Sequence, residues 1–165
     1  MQFLRAALTA IALGVALPAA AEDAAGPSVG HPLSPLCDLI CGGTWQPDHP
    51  AYPDEIRTSM TFAWDAEGGT IRGTSTRSGG IAGIRQVMTI TYAYDPATDA
   101  IIQTRAPDPA DWSRDGRDPP EGISGKVTLA GNGFSVRMEN PHRPGEVIIT
   151  AVRFETPDTW VERSE

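Results

Sequence analysis

The side chains best equipped for chemistry in this 165-residue chain are few and widely spaced. Its only two cysteines, Cys37 and Cys41, stand four apart in LSPLCDLICGGTW, residues 33–45. That spacing is about one helical turn and sets the two Cα atoms about 6 Å apart on one face, inside the range that a disulfide spans. Two thiolates joined by His31 or His49 would instead suit Cu(I) or Zn(II). His31 falls in a Pro/Gly-containing leader and His49 in the loop DHPAYP, so nothing in the sequence holds either imidazole against the sulfurs. A redox Cys-x-x-Cys pair needs another spacing and an α/β pattern.

The segment PDPADWSRDGRDPPEG, residues 107–122, carries Asp111, Ser113, Asp115, Gly116 and Asp118, the opening of a calcium loop. The twelfth-position glutamate is missing, and Pro119-Pro120 forbids an exiting helix, so a solvated Asp/Gly/Pro loop is the expected state. No serine sits in Gly-x-Ser-x-Gly, and the third histidine, His142, lies in the turn-like ENPHRPGE. Carboxylates cluster at turns, where Asp is favoured for backbone reasons. No catalytic residue, cofactor or metal site is predicted. An enzyme would need two titratable groups converging on a cavity.

These residues are positioned by elements that can be read in order. Residues 1–21 combine one early positive charge, Arg5, an apolar run from Ala6 to Leu17 and the ending Ala19-Ala20-Ala21, the pattern of a secretory signal peptide. The run is shorter than the about 20 apolar residues of a membrane span, so no transmembrane segment is expected. Cleavage near Ala21 would place the product in the periplasm or outside the cell, where a Cys37–Cys41 bridge is favoured by an oxidising environment. It would also remove Arg5 and take the formal charge from −8 to −9. Such a field, with its basic residues scattered singly, argues against nucleic acid as a partner. A flexible leader at 22–32 then precedes one domain at 33–165, large enough for a single core.

Ser34-Pro35 with Leu36, Leu39 and Ile40 predicts a short helix ending at Gly42-Gly43. Beyond it the hydrophobic period becomes two. Strands are predicted at 56–64, 70–77, 84–95, 100–106, 123–129, 133–139, 146–155 and 159–164, with Trp45 opening one more. Hairpin-sized connections leave no room for βαβ crossovers, so the expected architecture is an all-β antiparallel up-and-down barrel of 8–9 strands. Met60, Phe62, Trp64, Met88, Ile90, Tyr92, Tyr94, Phe134, Val136 and Met138 alternate so as to point inward.

Gly43-Thr44-Trp45 after a short helix resembles the Gly-x-Trp of lipocalin-like (calycin) barrels. Phe62-Ala63-Trp64, Gly68-Gly69-Thr70-Ile71-Arg72-Gly73, Tyr92-Ala93-Tyr94-Asp95-Pro96 and Asp158-Thr159-Trp160 are similar in layout to small exported bacterial proteins of that kind, of uncharacterised function. The resemblance implies a barrel whose floor is closed by Trp45, with a late-strand basic residue, Arg153 or Arg163, packed across it. It also implies an interior site for a small apolar molecule. On the inward alternation Met60, Phe62, Trp64, Met88, Tyr92 and Tyr94 would line that site, with Tyr92, Tyr94 and Gln86 or Gln103 as orienting polar groups and Trp112 in a lid over the mouth. The alternative is a ligand-free structural or interaction protein of the envelope, its interior filled by those same side chains; the sequence names no protein partner.

Overall fold

The computed structural model describes residues 26–46, 56–79, 84–108, 122–140, 143–156 and 159–164. The signal-peptide segment and residues 109–121 of the lid and calcium-loop segment, with His49, Trp112 and His142, lie outside the described residues. One helix, α1 (Ser34–Ile40), precedes nine strands: β1 (Thr44–Trp45), β2 (Ile56–Asp65), β3 (Thr70–Gly79), β4 (Ile84–Asp95), β5 (Ala100–Pro107), β6 (Ile123–Ala130), β7 (Gly133–Glu139), β8 (Val147–Thr156) and β9 (Thr159–Ser164). The strands form one antiparallel sheet in the order β1 to β9, a meander curled into a half-barrel. The described helix is too short to cross a membrane.

Alternation builds the two faces of this sheet. Along β8, Thr150, Val152 and Phe154 are buried while Ala151, Arg153 and Glu155 are exposed. β7 repeats the pattern with Phe134, Val136 and Met138 turned in. Gly73 interrupts the inward face of β3 because it stands directly opposite Phe62. A Cβ there would collide with the Phe62 ring, so glycine is what lets that ring lie across the strand.

The sheet edges meet through aromatic side chains. Described backbone pairing ends at β1 on one side and β9 on the other. Across that seam the rings of Trp45 and Trp160 stack, with centroids 4.8 Å apart and planes within 14°. Phe154 packs edge-on against both, at 5.5 Å from Trp45 and 5.7 Å from Trp160. Such ring pairs each contribute about 0.5–1.5 kcal/mol beyond their burial.

α1 covers one end of the curled sheet with Leu33, Leu36 and Ile40, all fully buried. Pro35 stands in its first turn, where its missing N–H costs nothing. At the other terminus the Trp45 Nε1–H donates to the Ile40 carbonyl at 3.1 Å, satisfying one of the acceptors a helix end leaves over. Gly42 takes φ +86° and donates its N–H to the Phe62 carbonyl at 3.1 Å, turning the chain from helix into sheet. His31, just ahead of the helix, sits edge-on to Trp64 at 5.1 Å, near the Asp65 end of β2. The helix therefore lies at the end of the sheet that holds the β2–β3 and β4–β5 turns.

Candidate ligand-binding site

Cys37 and Cys41 are the first candidate to place. Their sulfurs lie 2.7 Å apart and both are free thiols, so the expected bridge is not formed in this structure. The contact exceeds the about 2.05 Å of an S–S bond. Burial raises the Cys37 thiol above its ordinary value, and the nearby Asp38 charge adds to that. Burial also pushes Cys41 up, helped by the sulfur contact with Cys37. Raised thiols stay protonated at neutral pH and are poor nucleophiles and poor ligands. His31 Nδ1 accepts the Leu33 backbone N–H at 3.2 Å. No three His, Cys, Asp or Glu side chains among the described residues gather as a metal site.

The inward face of the sheet offers a different kind of site. It lines a partly open cavity of about 380 Å³, within the size range of small-molecule pockets. Of the expected ligand-binding residues, Met60, Phe62, Met88 and Tyr92 line it, as do Gln86 and Gln103. Ile90, Phe134, Val136, Val152 and Trp160 complete its apolar wall.

Trp64 and Tyr94 were expected there and do not line it. Both have the right parity along their strands but stand too near the helix-covered end. Trp64 packs on His31. The Tyr94 hydroxyl donates to Asp99 Oδ1 at 2.7 Å, which ties it to the β4–β5 turn. That turn is built by Asp95, whose carboxylate accepts the Thr98 hydroxyl at 2.6 Å and the Ala97 N–H at 3.0 Å. These same bonds hold the Asp95 carboxyl below its ordinary range. Arg153 is exposed on the outer face, paired with Glu155 at 3.0 Å, and the ring laid across Trp45 is that of Trp160. The Arg163 side chain is outside the described set.

Along one wall of the cavity runs a chain of polar groups. Tyr92 and Gln103 are direct cross-strand partners in β4 and β5. Gln103 is 2% exposed and donates from Nε2 to the Tyr92 hydroxyl oxygen at 2.7 Å. Its Oε1 accepts Nε–H of Arg105, two residues along the same face, again at 2.7 Å. A buried amide left without partners would cost about 1–3 kcal/mol, so this chain is needed to keep Gln103 inside. Arg77, Ser75 and Thr58 extend the polar lining on β3 and β2.

Arg77 and Arg105 are the site residues that sequence reading passed over. Their parity was legible, since Ile71, Gly73, Ser75 and Arg77 alternate along β3 as Ile101, Gln103 and Arg105 do along β5. Scattered singly in the chain, they give no cluster signal until the sheet curls. Comparison with protein-family models, with curated proteins and with solved structures finds no match to this chain, so the reading of the site rests on its own geometry.

Proposed function

We propose that this protein is an exported, lipocalin-like binding module that carries a small apolar or amphipathic molecule inside its curled sheet. The observation that carries the reading is the cavity of about 380 Å³ among Met60, Phe62, Ile90, Phe134 and Val136. Protein cores are packed nearly as densely as organic crystals, and voids above the size of a water molecule are few. A concave space of this size that combines an apolar wall with a few polar groups is the usual form of a small-molecule site, and a ligand there would bury the apolar wall from water. The alternative of a solid-cored envelope protein requires an interior filled by these same side chains.

Export is supported by the apolar run and Ala-x-Ala ending of residues 1–21. In an oxidising compartment the Cys37 and Cys41 sulfurs, already in contact, would close to a disulfide with little movement. Such a bridge pins the helix end to the Gly42–Trp45 turn.

The test is titration of the mature protein with Nile red, a neutral dye that brightens in apolar surroundings, together with native mass spectrometry of the protein as purified from the periplasm. Saturable dye emission that Met88→Trp abolishes by filling the cavity is expected. Absence of both dye emission and any copurified mass would refute the reading.

A further inference from the structure

The cavity is electrically unlike the rest of the molecule. The chain has 21 acidic and 13 basic residues, yet among the described residues the cavity lining includes two arginines, Arg77 and Arg105, and no carboxylate. The described ion pairs, Arg72–Asp65, Arg143–Glu146 and Arg153–Glu155, employ other side chains. Arg105 is half-buried and Arg77 lies exposed at the rim; guanidinium groups beside an apolar wall favour an anion, which they can meet with charge-assisted hydrogen bonds.

Arg105 is also held in place. Its Nε–H is taken up by Gln103 Oε1, and Gln103 is fixed in turn by Tyr92. With Nε occupied, the N–H groups of the two terminal nitrogens remain, a flat fork that matches the two oxygens of a carboxylate. Arg77 lines the same cavity from β3, directly opposite Gln86 of β4.

The shape limits the rest of the ligand. Thr58, Met60 and Phe62 are the β2 residues along the wall, a run of about 13 Å at the usual strand rise. Beyond Phe62 the space ends at the aromatic side chains that back onto α1. Phe62 tilts against Tyr92 at 6.0 Å, and Trp160 meets Phe62 edge-on at 6.4 Å. A compact body with a flat face fits this floor, whereas a long extended chain would run into it.

We propose that the cavity selects a compact organic anion, a carboxylate on an aromatic or branched apolar body. Its head pairs with Arg105 and Arg77, and its body lies on Phe62, Phe134 and Trp160. This inference rests on the binding-module reading and narrows it to a ligand class.

Three probes of one shape test it by calorimetric titration: 2-naphthylacetate, the neutral 2-(2-naphthyl)ethanol and the cationic 2-(2-naphthyl)ethylammonium. The carboxylate is expected to bind about 10- to 100-fold more tightly than the alcohol, the range of a charge-assisted hydrogen bond, and the ammonium more weakly than either. Arg77→Met and Arg105→Lys should each reduce the ratio of acid to alcohol affinity. A far-UV circular dichroism spectrum and a cooperative urea transition like those of the wild type show that the variants are folded, and Arg105→Lys keeps the charge while removing the fork. Equal binding of acid and alcohol, or a preference for the ammonium, overturns the inference and leaves the binding module standing. If Nile red binds but none of the three probes does, the inference alone falls. If Nile red also fails and no mass copurifies, both fall.

Discussion

Replacing Trp160 by alanine is the sharpest test of how this sheet is held in its curl. Trp160 belongs to the last strand, stacks on Trp45 of the first at 4.8 Å, and touches Phe154 and Phe62 edge-on at 5.7 and 6.4 Å. Tryptophan-to-alanine changes in cores cost about 3–5 kcal/mol, and Trp160 is half-buried, so Trp160→Ala is expected near the lower end, about 3 kcal/mol. With a urea slope of about 2 kcal/mol per M, the unfolding midpoint should fall by about 1.5 M. The coupling between the two seam residues is the more diagnostic quantity. A double-mutant cycle of Trp45→Ala and Trp160→Ala should return about 0.5–1.5 kcal/mol of interaction, since each ring loses its partner once only. Strictly additive losses, or a midpoint shift under about 0.3 M, would refute the claim that this stack joins the sheet edges.

Two further expectations come from the same side chains. Gly73→Ala places a methyl group on the Phe62 ring and should cost about 1–3 kcal/mol by overpacking. Because Phe62 lines the cavity, the variant should also bind Nile red more weakly, and unchanged stability with unchanged dye binding would contradict the described approach of β3 to β2. In the reduced protein, Cys37 and Cys41 titrate above their ordinary value of 9.0, mainly through burial, so the native state holds these protons more tightly than the unfolded chain. The stability this contributes is complete below about pH 9 and is lost as pH rises further. Denaturant midpoints of wild type and a Cys37→Ala/Cys41→Ala variant, compared between pH 7 and 10, should therefore converge at the alkaline end, and parallel curves would exclude the linkage.

Local pattern carried much of this architecture. Apolar residues at helical spacing between Ser34-Pro35 and Gly42 specify α1, and period-two alternation broken by Gly, Pro and Asp turns specifies the strands, because backbone geometry sends successive side chains to opposite faces. Short connections then leave a meander as the available topology. Parity along a strand therefore told which face Met60, Phe62, Met88 and Tyr92 occupy. It could not tell how far along the strand axis the interior is already filled. Trp64 and Tyr94 share that parity, yet the helix-covered end and the Asp99 hydrogen bond place them outside the cavity. The site's charge was hidden for a related reason: Arg77 and Arg105 lie on strands separated by β4 and line one space only after the sheet curls.

Sequence by itself determined the kinds of element, their order and the face each side chain takes, all of which follow from interactions between near neighbours. Only the tertiary structure decided that Trp45 meets Trp160 across the seam, that Tyr92 holds the Gln103 amide that anchors Arg105, and that a space remains above the helix-covered floor. Those relations depend on strand pairing, curvature and volume, and local pattern contains none of them.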